Sequence, residues 1–449
     1  MNAPLQTLDT SLRGLLRVAL PMSLGALVQF IVVFTDNYFV SRISGEAMSA
    51  VSYCGLIYVT LAMIGYGLGN ASQIIIARRK GEGNDGEVSS TAANALWLSF
   101  ITATIQFVLL AVVVPMVLPS VIASDAIRSH MEAFIPWRAA GFFFYTPLTI
   151  LLSFWSGIAV TRAMAYTTII TALVNIVLDY LLVFGHYGAP EMGVAGAALA
   201  TSIAEACALI YLIIYTVTHP ASRPFALFTA FRAMVWKHTG AIITLGGPII
   251  LQLVLSLFIW LVFYNFVEKL GESSTQSAFI VRNMYMLAWV SVMGVSTTTK
   301  TYVSGLIAEG RQRDLVPTIR KLILLNLTGI LLLTHGLILY PDFIAGLFTE
   351  NTETIQLTVR SAWIVFPAVL VFGCTSILLG TVEGSGNTMA GFVIELITTV
   401  FYLTAAYILA IERRDPVYIV WTADYVYFVL IGVLSLLYLR SGKWKHTRV

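Results

Sequence analysis

Long apolar segments recur along this 449-residue chain, and they constrain its fold more than any other feature. About 20 apolar residues in a helix are enough to cross the hydrocarbon core of a bilayer. The segments that meet this requirement are 15–40, 50–77, 92–118, 133–154, 163–185, 193–217, 240–267, 277–305, 319–340, 357–382, 388–411 and 417–439. The sequence therefore predicts an all-α polytopic membrane protein with twelve transmembrane helices.

The composition agrees with this class. Hydrophobic residues make up 58% of the chain and charged residues 11%, whereas soluble domains carry about 25% charged residues. The net charge of +3 is too small to indicate a nucleic-acid partner. The three cysteines are far apart in apolar segments, which predicts neither a disulfide framework nor a metal motif. No cofactor is expected, and the N-terminal residues show no cleavable signal peptide.

The distribution of lysine and arginine predicts the orientation in the membrane. With the N-terminus placed inside, more than twice as many of these residues fall on the cytoplasmic side as on the outer side. Cytoplasmic loops carry such an excess. In this count Arg138 is assigned to the outer side. We expect a multi-pass protein of the bacterial inner membrane with both termini in the cytoplasm.

The two halves of the chain repeat each other at a constant offset of 227 residues. The matched residues include Pro21 with Pro248, Gly67 with Gly294, Glu82 with Glu309, Gly157 with Gly384 and Thr161 with Thr388. Six spans in each half give both halves the same orientation, so they are parallel repeats related by an axis along the membrane normal. This predicts two six-helix bundles with pseudo-two-fold symmetry: an N-terminal lobe at 1–218, a cytoplasmic linker at 219–239 and a C-terminal lobe at 240–449.

Several acids lie inside the predicted spans. An aspartate at the centre of a membrane helix costs about 2.5–3.5 kcal/mol or more, and such residues usually mark functional sites. Asp36 lies in the first span, and Asn175 and Asp179 share one face of the fifth span at i and i+4. Asp36, Asp179 and Thr201 in the sixth span lie about 9–12 Å inside the outer ends of their helices. The sequence therefore predicts one layer of oxygen ligands from three helices.

This layer is a candidate cation site. Its oxygens suit a hard cation such as Na⁺, and the paired carboxylates of Asp36 and Asp179 are also able to carry a proton. Glu205 lies on the Thr201 face one turn deeper and extends the predicted site, and Pro21 gives the first span a place to bend. The alternatives are a carboxylate of Asp36 that reaches toward the interface, and structural hydrogen bonds between helices. Glu395 and Asp424 are further intramembrane acids in the second half.

The seventh and eighth spans are rich in aromatic and methionine side chains, which suit flat cationic molecules through stacking and cation–π contacts. The residues concerned are Trp260, Tyr264, Tyr285, Met286, Trp289 and Met293. We treat them as candidate substrate-binding residues. The alternative is that they face lipid or pack between helices.

Four sequence patterns resemble the multidrug and toxic compound extrusion (MATE) family of cation-coupled antiporters. They are Pro21 followed by Asp36, the second-span end GYGLGNASQ with RRKGEGN, the sixth-span start GVAGAALATSIAE, and LLGTVEGSGNTMAG between the tenth and eleventh spans. The first-span Asp and the fifth-span Asn and Asp match the positions of the family's site. The usual Arg-Gly-x-Gly pattern is replaced by residues 156–159 and 383–386, and the tenth span lacks an Asp. These departures place the predicted ion coupling in the N-terminal lobe.

The resemblance implies a secondary antiporter, without enzymatic activity, that exports organic cations or amphipathic toxic compounds in exchange for H⁺ or Na⁺. Its expected partners are these small molecules and membrane lipid, and we expect a monomer. One alternative is a lipid-linked oligosaccharide flippase of the same wider superfamily, which would need a cationic cleft. A membrane-embedded lipid-modifying enzyme or a channel fits less well. No nucleotide-binding loop of the GxxxxGK[ST] type is present, so ATP-driven transport is not supported.

Overall fold

The computed structural model describes residues 7–228 and 234–446, and within them every regular element is helical. The main helices are α1 (Leu12–Ser41), α2 (Gly45–Gly81), α3 (Asp85–Val121), α4 (Asp125–Ala140), α5 (Phe142–Gly157), α6 (Arg162–Phe184), α7 (Val194–Thr218), α8 (Trp236–Glu268), α9 (Glu272–Ala308), α10 (Gln312–Thr334), α11 (Thr352–Gly384), α12 (Thr388–Glu412) and α13 (Val417–Arg440). Short helical turns lie between α7 and α8 and between α10 and α11.

The predicted membrane-spanning character is confirmed. Eleven of the described helices are long and apolar enough to cross a membrane, and α4 and α5 pass the same test as a pair bent by 44°. The predicted fourth span is therefore broken at Gly141, which lies between the two helices. A Cβ atom at Gly141 would lie 2.6 Å from the hydroxyl oxygen of Ser202 on α7. Close approach to α7 thus requires glycine at the bend.

The helices form two compact units, which we name by the half of the chain that supplies most of each. The N unit comprises Leu24–Ile250, and the C unit comprises Met1–Ser23 with Leu251–Val449. Helix α1 therefore contributes its beginning to the C unit and its remainder to the N unit, while α8 does the reverse. In α1 the boundary between the two units lies two residues after Pro21, and in α8 it lies two residues after Pro248. The exchange therefore occurs at equivalent positions of the two halves.

Two glycines of the repeat explain how these helix beginnings pack. In the N unit, a Cβ atom at Gly67 would lie 2.4 Å from Cγ1 of Ile250, at the exchange point of α8. In the C unit, a Cβ atom at Gly294 would lie 2.1 Å from the hydroxyl oxygen of Ser23, at the exchange point of α1. Both pairs are related by the 227-residue offset. The beginning of α1 therefore packs in the C unit and the beginning of α8 in the N unit. The two packing units thus differ from the sequence halves 1–218 and 240–449.

The predicted linker at 219–239 packs partly against α3. Pro220–Phe225 form a 3₁₀ turn, and the Ser89 hydroxyl of α3 donates a hydrogen bond to the Phe225 carbonyl. After residues 229–233, which lie outside the described part, the backbone N–H of Val235 donates to Oδ1 of Asn94 at 2.6 Å. Helix α8 begins at Trp236, so the end of the predicted linker is already helical.

Candidate cation site

Helices α1, α6 and α7 of the N unit position the predicted cation ligands. The rings of Phe39 and Phe184 lie 5.9 Å apart and join the end of α1 to the end of α6. Helices α6 and α7 approach so closely that a Cβ atom at Gly196 would lie 2.5 Å from the Leu182 carbonyl oxygen. These contacts hold the three helices together near the depth at which the polar residues occur.

The structure brings Asp36, Asn175, Asp179 and Thr201 together. The Asp36 carboxylate is within interaction range of the other three side chains. Asn175 and Asp179 are fully buried, at 0% exposure. The Asn175 amide donates to the Thr201 hydroxyl at 3.2 Å, and that hydroxyl donates to the Ala197 carbonyl at 3.0 Å. These four residues form a group that we call the acid layer.

Four buried oxygen atoms of the acid layer have no hydrogen-bond donor among the described residues. They are Oδ1 of Asp36, Oδ1 of Asn175 and both carboxylate oxygens of Asp179. Buried polar atoms are almost always hydrogen-bonded, so each such group calls for an explanation. An ionised carboxylate only accepts, and burying it without a donor or a cation is costly. The arrangement therefore suits a small cation or a proton.

The ligand atoms of the acid layer are all oxygens. Two carboxylates, one amide oxygen and one hydroxyl are hard oxygen ligands of the kind that alkali and alkaline-earth ions prefer. In the described part of the chain, no group of three or more His, Cys, Asp or Glu residues is arranged to hold a metal ion.

Glu205 has a different environment from the other predicted ligands. Its two carboxylate oxygens accept hydrogen bonds from the Arg138 guanidinium at 2.8 and 2.9 Å, and both side chains are buried. The guanidinium lies 3.6 Å above the ring of Tyr58, which stacks on Phe142. Glu205 is therefore neutralised by an arginine in this structure, and its role as a cation ligand stays a prediction.

Sequence reasoning missed Arg138 as part of this site, because it was assigned to the outer side of the membrane. The signal was present, since Arg138 lies inside the predicted fourth span at 133–154. A basic residue within a span is expected to pair with an acid there. Glu205 is the partner that the structure provides.

The candidate substrate residues lie in the C unit, and four of them form one aromatic cluster. Trp260 lies 5.9 Å from both Tyr264 and Tyr285, and Tyr285 lies 6.5 Å from Trp289, measured between ring centroids. The guanidinium of Arg282 lies 5.7 Å from the Trp260 ring and 5.6 Å from the Tyr264 ring. This aromatic cluster packs on the core of the C unit.

Met286 and Met293 are half-buried on the same helix, α9, and lie outside the ring contacts described above. Their role in substrate contact stays a prediction. Near the cluster are two buried acids of the C unit, Glu395 and Asp424. Glu395 accepts hydrogen bonds from the hydroxyls of Tyr427 and Ser256, and Asp424 interacts with Tyr402.

Comparisons with known proteins agree on one family. The family model described as MatE matches residues 21–181 and 248–439, so both matches begin at a proline of the repeat. The chain is 24% identical over 445 residues to "Probable multidrug resistance protein NorM" of Thermotoga maritima, covering 97% of this chain and 94% of that relative. It is also 24% identical over 387 residues to "Multidrug resistance protein NorM" of Vibrio vulnificus, covering 84% and 83%. The solved structure "Crystal structure of MATE in complex with MaD3S" matches with a TM-score of 0.90 at 18% identity, covering 100% of both chains, which shows the fold.

Proposed function

Because the chain belongs to the MATE family of membrane transporters, we propose that it is a secondary antiporter that exports organic cations or amphipathic toxic compounds in exchange for H⁺ or Na⁺. The named relatives are multidrug resistance proteins and not enzymes. The export of several chemically different compounds is therefore the coarse function, and ion-coupled antiport is the finer proposal.

The observation that carries the antiport proposal is the set of unpartnered oxygens in the acid layer. Asp36 and Asp179 are close together in a membrane-spanning bundle, and three of their four carboxylate oxygens are buried without a donor. Two carboxylates in such a place repel each other and are poorly solvated. A bound Na⁺ or proton relieves both costs, so the energy of ion entry is available to drive a change of conformation.

The coupling mechanism is competition between two states of the protein. Ion binding neutralises the acid layer and allows α1, α6 and α7 to pack more closely. Pro21 removes one backbone hydrogen bond of α1 and supplies the place where the helix bends. The state with bound ion has a lower affinity for the exported compound, so the compound leaves as the ion enters. A ligand shifts such an equilibrium only through its different affinities for the two states.

The aromatic cluster of the C unit is the proposed place of substrate contact. Trp260, Tyr264, Tyr285 and Trp289 present faces that stack on flat molecules and attract cations. Met286 and Met293 on α9 add adaptable apolar surface, as methionine does at sites that accept several ligands. This division gives the N unit the ion and the C unit the organic compound.

A lipid-linked oligosaccharide flippase is the less favoured function. Binding a pyrophosphate would need basic side chains that are not already neutralised. Arg138 pairs with Glu205, and Lys300 pairs with Glu383 at 2.7 Å, both with little exposure. Each of these buried cations therefore faces a carboxylate.

As for location, we propose a monomer in the bacterial inner membrane, in contact with lipid, with both termini in the cytoplasm.

The test is efflux of a fluorescent organic cation, such as ethidium, from proteoliposomes under an imposed pH or Na⁺ gradient. The parent protein is expected to respond to one of the two gradients. Asp36→Asn and Asp179→Asn are each expected to remove that response, because an amide keeps the shape but loses the charge.

The matched control is Asp125→Asn, which changes an aspartate of the same unit whose side chain is 87% exposed. This variant is expected to transport like the parent. The proposal would be contradicted if Asp36→Asn still exported ethidium and its export still depended on the ion gradient. It would also be contradicted if efflux by the parent responded to neither gradient.

A further inference from the structure

The buried ion pair of Arg138 and Glu205 is more elaborate than packing requires. Both oxygens of Glu205 are bonded by the guanidinium, and the Tyr58 ring covers the guanidinium at 3.6 Å. A buried ion pair contributes little net stability, because desolvation of the two charges offsets most of their attraction. An apolar pair of similar size would hold α4 against α7 at least as well. Packing of α4 against α7 therefore does not explain why this position carries two buried charges.

The surroundings of Arg138 fix where its guanidinium lies. A Cβ atom at Gly141 would be 2.7 Å from Nη1 of Arg138, so the guanidinium folds back over a position that has no side chain. The neighbouring Ser202 hydroxyl donates to the Trp137 carbonyl at 2.9 Å and ties α7 to α4 at this level. The cation is thus held in a defined place beside α7.

This place adjoins the acid layer. Thr201 and Glu205 lie on the same face of α7 at i and i+4, a rise of about 6 Å along the helix axis. Thr201 is bonded to Asn175 of the acid layer, and Glu205 is bonded to Arg138. Asp36 also lies within electrostatic range of Arg138. One guanidinium therefore has two anionic neighbours, Glu205, which it bonds, and Asp36 of the acid layer, which lies within electrostatic range.

We propose that Arg138 is a tethered cation that competes with the coupling ion for the acid layer, and that Glu205 is the alternative partner that holds it away. Glu205 then acts as a positioning residue, whose negative charge leaves Asp36 and Asp179 available to the ion. This inference rests on the proposed function, because it concerns how the same site keeps its affinity for an ion. Without the charge of Glu205, the guanidinium neutralises the acid layer from within.

The experiment measures the half-saturating concentration of the coupling ion for ethidium efflux, using whichever of Na⁺ or H⁺ drives the parent. Glu205→Gln is expected to raise this concentration at least about tenfold, because it leaves a buried guanidinium without its partner. Arg138→Met is expected not to raise it, since the competing cation is gone. The double variant Arg138→Met/Glu205→Gln is expected to return to within about threefold of the parent, because coupled sites are non-additive.

Two controls separate charge from packing. Glu205→Asp keeps the charge and is expected to stay closer to the parent than Glu205→Gln. Glu383→Gln removes the carboxylate of the buried Lys300 pair in the C unit and is expected to leave the half-saturating ion concentration unchanged.

The outcomes distinguish the two proposals. If an ion gradient drives efflux by the parent, and Glu205→Gln has the same half-saturating ion concentration as the parent, the tethered-cation inference alone is overturned. A double variant that is as impaired as Glu205→Gln also overturns it, because that result indicates a packing role. A parent that responds to neither ion overturns the proposed function and this inference with it.

Discussion

In the N unit, Asp179 is fully buried and neither of its carboxylate oxygens has a donor among the described residues, whereas in the C unit Glu395 accepts hydrogen bonds from Tyr427 and Ser256. Both are acids inside apolar helices, and the sequence predicts a cation site only at Asp179. The difference lies in their partners. A carboxylate with protein donors is satisfied in place, while one without donors has capacity left for an ion or a proton.

The unpartnered atoms near the two sites also differ in kind. Those of the acid layer are acceptors, on Asp36, Asn175 and Asp179. Those of the aromatic cluster include donors, the indole N–H of Trp289 and the hydroxyl of Tyr264, which is also an acceptor. Acceptors alone attract cations, whereas aromatic faces with free donors suit a larger organic molecule that carries an acceptor group. The comparison supports a division in which one unit binds the ion and the other contacts the exported compound.

The strongest test of this comparison sets Asp179→Asn against Glu395→Gln. Asp179→Asn is expected to lower ion-driven efflux about a hundredfold, because the amide removes one of the two negative charges that attract the ion. Glu395→Gln is expected to change it less than about threefold, since a neutral amide oxygen still accepts from Tyr427 and Ser256. Initial efflux rates in proteoliposomes measure both. Equal losses would remove the distinction between the two units.

A second test compares two buried asparagines. Asn175→Leu removes an unpartnered oxygen and the bond to Thr201, and it is expected to raise the half-saturating ion concentration about tenfold. Asn326 of the C unit is satisfied, since its oxygen accepts from Ser291 at 2.9 Å and its amide donates to the Gly373 carbonyl at 2.8 Å.

The matched variant Asn326→Leu is expected to lower the melting temperature in detergent and to leave the ion requirement unchanged. A shift of the ion requirement in Asn326→Leu equal to that in Asn175→Leu would show that any buried amide matters and that the acid layer is not special.

The smallest expected effect concerns the aromatic cluster. Trp260→Leu is expected to raise the KM for ethidium about three- to tenfold, because a cation–π contact contributes about 0.5–2 kcal/mol. The half-saturating ion concentration is expected to stay at the parent value. Phe258→Leu on the same helix is the control, since Phe258 is 54% exposed. An altered ion requirement in Trp260→Leu, with an unchanged KM, would reverse the proposed division.

The sequence predicted the helical fold and the family, and both predictions are confirmed by the structure and by the MatE match. Asp36, Asn175, Asp179 and Thr201 were placed in one layer from helix periodicity and depth, two quantities that a sequence contains. Their role in ion binding stays a prediction.

The partner of Glu205 was not predicted, because pairing across helices depends on how α4 and α7 face each other, and spacing along one helix does not record that. Arg138 itself was assigned to the outer side although it lies inside the predicted fourth span, so only its partner was beyond what the sequence records. The four rings of the aromatic cluster were predicted together with Met286 and Met293, but the contacts among the rings were not predicted, because they depend on how α8 and α9 pack. The role of all six residues in substrate contact stays a prediction.

The exchange of helix beginnings at Ser23 and Ile250 has a consequence for how this chain arose and how it can be altered. A duplicated segment usually leaves two copies that are each complete. Here the opening turns of the first helix of each half pack in the unit that the other half mainly forms. Severing the chain between the halves would give two fragments that must meet before either can finish folding. Each half therefore supplies part of the packing of the unit that the other half mainly forms.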